Sequence, residues 1–179
     1  MQKIKKILDL GCGKKKRSNA IGIDYNERTD ADIIHDLNIF PYPLEDNMFE
    51  EIYIDNTLEH LDNVIGVMEE IHRICKKDGL VKIMVPYFRS VYASIDPTHK
   101  HYFTAGSFAY FDPNNEICQR YPYSEARFHI ESVRFNEGLE NGFLKKMIKH
   151  FANRFPTVYE FKFSQLLPLD ELTFILRKV

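Results

Sequence analysis

Ile7-Leu8-Asp9-Leu10-Gly11-Cys12-Gly13 is the stretch on which the fold turns. An apolar strand, Ile4 to Leu10, runs into a carboxylate and two glycines one residue apart. Glycines at a strand end let the backbone turn sharply and let a ligand approach with no Cβ in the way. In an open α/β sheet, ligands bind outside the carboxyl ends of the strands. A dinucleotide fingerprint needs a third glycine three residues on, but that position is Lys16. No Gly-Lys-Ser/Thr follows either, so NAD and ATP are poor candidates.

Working outward, strand and helix patterns alternate, which points to an α/β sheet. Ile21 to Asp24, Asp32 to Asp36 and Glu51 to Asp55 read as strands. Val64, Val67, Met68, Ile71, Ile74 and Cys75 recur at helical spacing, with Lys76, Lys77 and Gly79 as a helix stop. Leu80 to Val85 is a fifth strand closed by Pro86. Residues 87–125 are irregular and rich in aromatics, a pattern of functional or poorly ordered segments. Phe128 to Phe135 alternates as a strand, 140–154 reads as helix, and Leu172 to Leu176 is a terminal strand.

The strand ends then line up as Gly11, Asp24, Asp36 and Asp55. A carboxylate closing the second strand accepts from both hydroxyls of a ribose, and one closing the third accepts from an adenine amino group. That row fits a nucleoside without phosphates, and its negative charge fits a cationic ligand.

With 179 residues the chain reads as one domain, 1–179. Apolar residues make up 44% and charged residues 28%, which excludes a disordered or collagen-like chain. Twenty-four basic against 26 acidic side chains leave a net charge of −2, so coating of nucleic acid is not expected. No apolar run is long enough to span a bilayer, and the N-terminal stretch lacks the apolar core of a signal peptide. Cys12, Cys75 and Cys118 are too few and scattered for a disulfide framework or zinc ribbon. We therefore expect a cytoplasmic protein with reduced thiols.

ILDLGCG, IGID, EIYIDNTLEHL and the block VMEEIHRICKKDGLVKIMVPYF together resemble the class I S-adenosylmethionine-dependent methyltransferases, of the methyltransferase domain 11 type in a compact form. The resemblance covers about residues 4–88 and the closing ELTFILRK. It implies a Rossmann-like α/β/α sheet, mostly parallel with an antiparallel closing strand, and S-adenosylmethionine as cofactor. Asp9, Gly11, Cys12 and Gly13 would then face the methionine part. Asp24 would hold the ribose, Tyr25 would pack on the adenine, Asp36 and Leu37 would meet its edge, and Asp55 and Asn56 would stand near the methionyl group. Compact members are often associated with saccharide or cell-surface glycan modification, and the expected acceptor is an O or N atom of a small molecule or glycan-linked substrate. The alternatives are an RNA methyltransferase, or a relative that binds the cofactor weakly or not at all. Asp-Asn-Thr-Leu departs from the Asp/Asn/Ser-Pro-Pro-aromatic motif of base-amine methylation. The first crossover is too short for more than one helical turn.

His60, His99 and His101 are the candidate bases, since an imidazole takes a proton near neutral pH. Glu59-His60 also reads as a cap for the next helix. Asp96, His99 and His101 form the donor set of a facial metal triad, but also a substrate-facing or packing group. No metal is assigned. Residues 87–125 are expected to form a lid or acceptor pocket, with aromatics either lining it or filling core. Lys14 to Arg17 reads as a solvated basic loop, with an RNA phosphate contact as the alternative.

Overall fold

The computed structural model describes residues 6–136 and 142–179. The strands are β1 (Ile7–Leu10), β2 (Ala20–Asp24), β3 (Ile33–Ile34), β4 (Phe49–Asp55), β5 (Cys75–Pro86), β6 (Phe128–Phe135) and β7 (Glu171–Lys178). The helices are α1 (Val64–Ile74), α2 (Tyr92–Ile95), α3 (Glu116–Arg120), α4 (Phe143–Arg154) and α5 (Pro156–Val158). The seven strands form one sheet in the order β3-β2-β1-β4-β5-β7-β6. Strands β1 to β5 pair in parallel, and β7 runs antiparallel to both β5 and β6. This is the mostly parallel α/β sheet with an antiparallel closing strand that the resemblance implies.

The core forms where apolar side chains alternate along these strands. Leu8, Leu10, Ile23, Ile52, Ile54, Val81, Ile83 and Phe174 are all fully buried. Helix α1 closes over the sheet with Val67, Met68, Ile71 and Ile74, and Asn63 caps its start by accepting from the Gly66 N–H at 3.0 Å. Glu59-His60 therefore does not cap α1; it lies in the preceding 3-10 turn, Leu58–His60.

Other readings also need correcting. Helix α1 ends at Ile74, not at Gly79, and β5 starts directly at Cys75. Phe49 pairs with Cys75 but Glu51 pairs with Leu80, so Lys76 to Gly79 bulge out of the ladder. A Cβ on Gly79 would lie 2.6 Å from Cys75 Sγ and 2.8 Å from the Lys76 carbonyl, so this bulge, not a helix stop, is what requires the glycine. β3 keeps only Ile33 and Ile34 of its five-residue reading. The readings at Ile4, Lys5, Glu140 and Asn141 fall outside the described residues.

The crossovers from β1 through β4 contain no helix, and ion pairs hold the loops instead. In the 11–19 loop, Lys16 lies across β2 with its Nζ 2.7 Å from Asp32 Oδ1. A Cβ on Gly22 would meet Lys16 Cδ at 2.5 Å, so the bare backbone of Gly22 is the bed for that side chain. The Arg17 N–H donates to Asp9 Oδ2 at 2.8 Å, its guanidinium pairs with Asp55, and it sits 4.0 Å over the Tyr53 ring. Half of the basic run is thus structural, while Lys14 and Lys15 are exposed. The loop before β4 is tied to α1 by Arg73, which donates to Glu70, Asp46 and the carbonyls of Tyr42 and Leu44.

Candidate active site

The parallel register sets Gly11, Asp24, Asn56 and Pro86 along one edge of the sheet, with Glu171 of β7 opposite Pro86. Two cavities open there, of about 760 Å3 and about 620 Å3. Both sizes lie in the range of small-molecule sites.

Gly11, Asp24, Tyr25, Asp36, Leu37 and Asn56 line the larger cavity. Its turn is built tightly. The N–H groups of Gly11 and Cys12 both donate to the Ile23 carbonyl, at 2.8 and 3.2 Å. Gly11 has φ +68°, and a Cβ there would lie 2.2 Å from Thr57 Oγ1. Each oxygen of the buried Asp24 carboxylate accepts one backbone N–H, Gly13 at 3.0 Å and Asn26 at 2.9 Å. A carboxylate has about four acceptor sites, so lone pairs remain for a ligand diol. Tyr25 is 76% exposed, a free ring beside Asp24. Asp36 Oδ1 accepts from the Asn38 N–H at 2.9 Å, and Asn38 Oδ1 in turn accepts from the Asp62 N–H at 2.7 Å.

Asp9, Cys12, Gly13 and Asp55 are not among the residues lining the cavity; they support it. Burial raises the Asp9 carboxyl above its ordinary value, against the backbone hydrogen bond from Arg17. The buried Cys12 thiol is pushed up to about 11, first by burial and then by Asp9, so it is no nucleophile. Asp55 spends one oxygen on Arg17, and its buried Oδ1 has no hydrogen-bond partner.

Asn56, His60 and Asp96 line both cavities and so mark their junction. Asn56 leaves β4 at φ +45°, with its N–H on the Met84 carbonyl at 2.8 Å. The smaller cavity adds Glu59, Tyr92, Ile95 and His99 on one side. Gly142, Lys145, Asp170 and Glu171 come from the far end of the chain.

The hydrogen bonds at the junction assign both imidazole tautomers. Thr98 Oγ1 donates to Asp96 Oδ1 at 2.7 Å. It therefore accepts from His60 Nδ1, 2.9 Å away, and His60 Nε2 carries the lone pair. His99 Nδ1 faces the Ala93 carbonyl at 3.1 Å, so it is the donor and Nε2 is again bare. The two rings meet edge to face with centroids 4.6 Å apart. Burial, then His99, lowers the His60 pKa, keeping it neutral at neutral pH. Glu59 is 1% exposed, and burial pushes its carboxyl up to about 7.

His101 lies elsewhere, its Nε2 2.8 Å from the Leu61 carbonyl and outside both cavities. Of the aromatics in 87–123, Tyr92 alone lines either of these two cavities. Tyr87, Phe103, Phe108 and Phe111 are core, and Tyr110, Tyr121 and Tyr123 stack on one another. The segment reaches the site through residues 92–100 alone.

Sequence reading missed Thr57, Thr98, Lys145, Asp170 and Glu171. Asp-Pro-Thr does carry a signal for Thr98, since the Thr98 N–H closes on Asp96 Oδ1 at 2.9 Å in an Asx turn.

Residues 8–83 match the family described as a methyltransferase domain. That stretch, 76 of the 179 residues, is similar to the methyltransferase domain. Solved structures share its fold. A SAM-dependent methyltransferase from Archaeoglobus fulgidus aligns at TM-score 0.59 and 17% identity, over 97% of this chain and 86% of that one. One from Mesorhizobium loti aligns at 0.60 and 16% identity, over 97% and 91%. The 4+2 cyclase SpnF aligns at 0.58 and 18% identity, over 97% and 75%. A search of curated proteins finds no match. No helix among the described residues is long and apolar enough to cross a membrane.

The methyltransferase match implies S-adenosylmethionine as cofactor, and the larger cavity fits it. The Gly11 cradle has no room for a Cβ, Asp24 has lone pairs for a ribose, and Tyr25 offers a ring face. Asp24, Asp36 and Asp96 give the cavity the negative charge that suits a sulfonium, while its Lys100 is paired with Asp62 at 2.7 Å.

Proposed function

We propose that this domain methylates an oxygen or nitrogen of a small-molecule or glycan-linked acceptor held in the 620 Å3 cavity. The observation that carries the reading is the shared wall of Asn56, His60 and Asp96, where the two cavities meet. Bound S-adenosylmethionine supplies an already activated methyl group, so the protein's task is to hold the reactants in line and exclude water. Asp24 and Tyr25 hold the nucleoside end, and Asn56 stands at the junction. Across the acceptor cavity, Asp170, Glu171 and Lys145 present both acceptors and a donor beside the Tyr92 ring, a lining that suits a hydroxylated compound. The Glu59–His60–His99 cluster faces the acceptor and deals with its proton. The acidic groups and the engagement of Lys16 and Arg17 within the fold favour this reading over an RNA substrate. Three buried thiols, all free, accord with a reducing cytoplasmic setting.

The test pairs a binding measurement with a turnover measurement. S-adenosylhomocysteine should bind with micromolar-range affinity by calorimetry, and methyl transfer should appear in a screen of saccharides and hydroxylated small molecules. Replacing His99, which lines the smaller cavity and not the larger, by alanine should leave S-adenosylhomocysteine affinity within about twofold and lower turnover by roughly 10²–10⁴-fold. Undiminished turnover in that variant, or no binding by the wild type, refutes the reading.

A further inference from the structure

We propose that Glu59, His60 and His99 bind a divalent transition-metal ion at the junction of the two cavities. The proposal rests on the reading that this cluster faces the acceptor, and it names the group that acidifies the acceptor's hydroxyl.

The three side chains offer one ligand atom each, all within 4.8 Å of one another. Glu59 Oε1 and His99 Nε2 are 4.0 Å apart. Metal bonds of about 2.0–2.2 Å place neighbouring ligands roughly 3 Å apart. Small side-chain rotations close that gap.

Both imidazoles are prepared as ligands. Each is held through Nδ1, His99 by the Ala93 carbonyl and His60 by Thr98, whose proton goes to Asp96. Each therefore presents a bare Nε2. Outer hydrogen bonds of this kind are what fix ring orientation and tautomer in histidine metal sites.

Glu59 is the second, independent observation. Its side chain is 2% exposed, and its Oε2 is buried with no hydrogen-bond partner. A buried carboxyl group needs a partner or a counter-charge. The ammonium groups nearby are committed elsewhere, Lys100 to Asp62 and Lys145 to Asp170, at 2.7 and 2.6 Å. The 3-10 turn that carries Glu59 is itself pinned, because the Glu59 carbonyl accepts from the Lys100 N–H at 2.7 Å.

Two imidazoles and one carboxylate select a borderline ion such as zinc, cobalt or ferrous iron over calcium or magnesium. All three residues line the acceptor cavity, so the ion's remaining positions face it. A cation there lowers the pKa of a bound hydroxyl. The proton leaves to solvent. The oxygen's electron pair then forms the bond to the methyl carbon while the S–C bond breaks, its electron pair staying on sulfur to give the thioether. This trio differs from the Asp96, His99 and His101 set considered from sequence. Asp96 is turned to Thr98, and His101 to Leu61.

Cobalt(II) is the probe. The chelator-treated protein is titrated with it, following visible ligand-field absorption and calorimetric heat. One equivalent should bind per chain. His99→Ala and Glu59→Gln should each weaken binding by more than the roughly 10–100-fold expected for loss of an outer partner, and Thr98→Val by about that 10–100-fold. His99→Ala and Glu59→Gln, whose residues lie outside the larger cavity, should keep S-adenosylhomocysteine affinity, which reports that the fold is intact, and Thr98→Val should keep its urea unfolding midpoint. No cobalt binding, or binding that survives both ligand variants, overturns the proposal. The titration uses neither cofactor nor acceptor, so failure of the methyl-transfer reading would appear separately, as absent S-adenosylhomocysteine binding.

Discussion

Gly11→Ala should cost this protein far more than Gly13→Ala, although the sequence presents the two as equals. Both glycines have positive φ, +68° and +55°. A left-handed backbone costs an alanine about 1–2 kcal/mol. At Gly13 nothing lies within 4 Å of the new Cβ, so that strain is the whole cost. At Gly11 the Cβ falls 2.2 Å from Thr57 Oγ1 and 2.5 Å from Thr57 Cγ2. Thr57 is not free to swing away, because its hydroxyl donates to the Asp55 carbonyl at 3.0 Å. Overpacking adds about 1–3 kcal/mol, so Gly11→Ala should total about 2–5 kcal/mol. Urea unfolding measures both variants. Gly11→Ala combined with Thr57→Ala should recover the overpacking part relative to the two single variants added together. Equal losses at the two glycines, or no recovery in the double variant, would refute the argument. Titration with S-adenosylhomocysteine adds a second readout, since Gly11 and Thr57 both line the larger cavity.

Asp24→Ala should weaken S-adenosylhomocysteine binding by about 1.5–3 kcal/mol in calorimetry, the range for hydrogen bonds to a charged group; unchanged affinity would remove Asp24 from the site. Arg17→Ala should lower stability by about 1 kcal/mol, because the Asp55 pair is partly exposed and the Tyr53 stack adds a little. Adding Asp55→Asn to that variant should cost little more, and fully additive losses in urea would argue against the pairing. His72 packs edge-on against Phe128, and burial, then Lys178, holds its pKa below the ordinary 6.5. Its contribution to stability is therefore full above the unfolded value and is lost as pH falls through the folded one. Unfolding midpoints from pH 7.5 down to 5 should fall less steeply for His72→Leu, and parallel slopes would contradict this.

Strand periodicity was legible wherever apolar alternation alone sets the pairing. Phe128–Phe135 is read with its observed bounds for that reason. β7 is longer than its apolar stretch because Lys178 is buried with its Nζ on Asn47 Oδ1 and the Cys75 carbonyl, at 2.9 and 2.8 Å. No hydrophobicity pattern shows that. β3 is shorter than its reading because Asp32 and Asp36 are drawn into side-chain contacts with Lys16 and Asn38. The larger cavity's strand-end residues were legible for a geometric reason. Gly11, Asp24 and Asn56 follow or close their strands, and a parallel register brings consecutive strand ends to one edge. The smaller cavity was not, since it joins residues 56–99 to residues 142–171 across the folded chain. Nothing local in Lys145 or Glu171 announces that meeting.

The helix-free crossovers bear on how the cofactor edge is held. A crossover helix stabilises a strand end by apolar packing, which is indifferent to salt and to pH. Here the same edge depends on Lys16 with Asp32 and on Arg17 with Asp9 and Asp55. Partly exposed pairs are screened by salt, whereas the sheet core beneath them is not. The Gly11 turn and the Lys16–Arg17 return therefore form the part of the site that loosens first as ionic strength rises. The junction at Asn56 and His60 rests instead on backbone contacts, the Asn56 N–H to Met84 and the His60 N–H to the Thr57 carbonyl, at 2.8 and 3.0 Å. Salt should thus weaken the hold on the nucleoside before it disturbs the junction, because the first depends on charge and the second on the sheet.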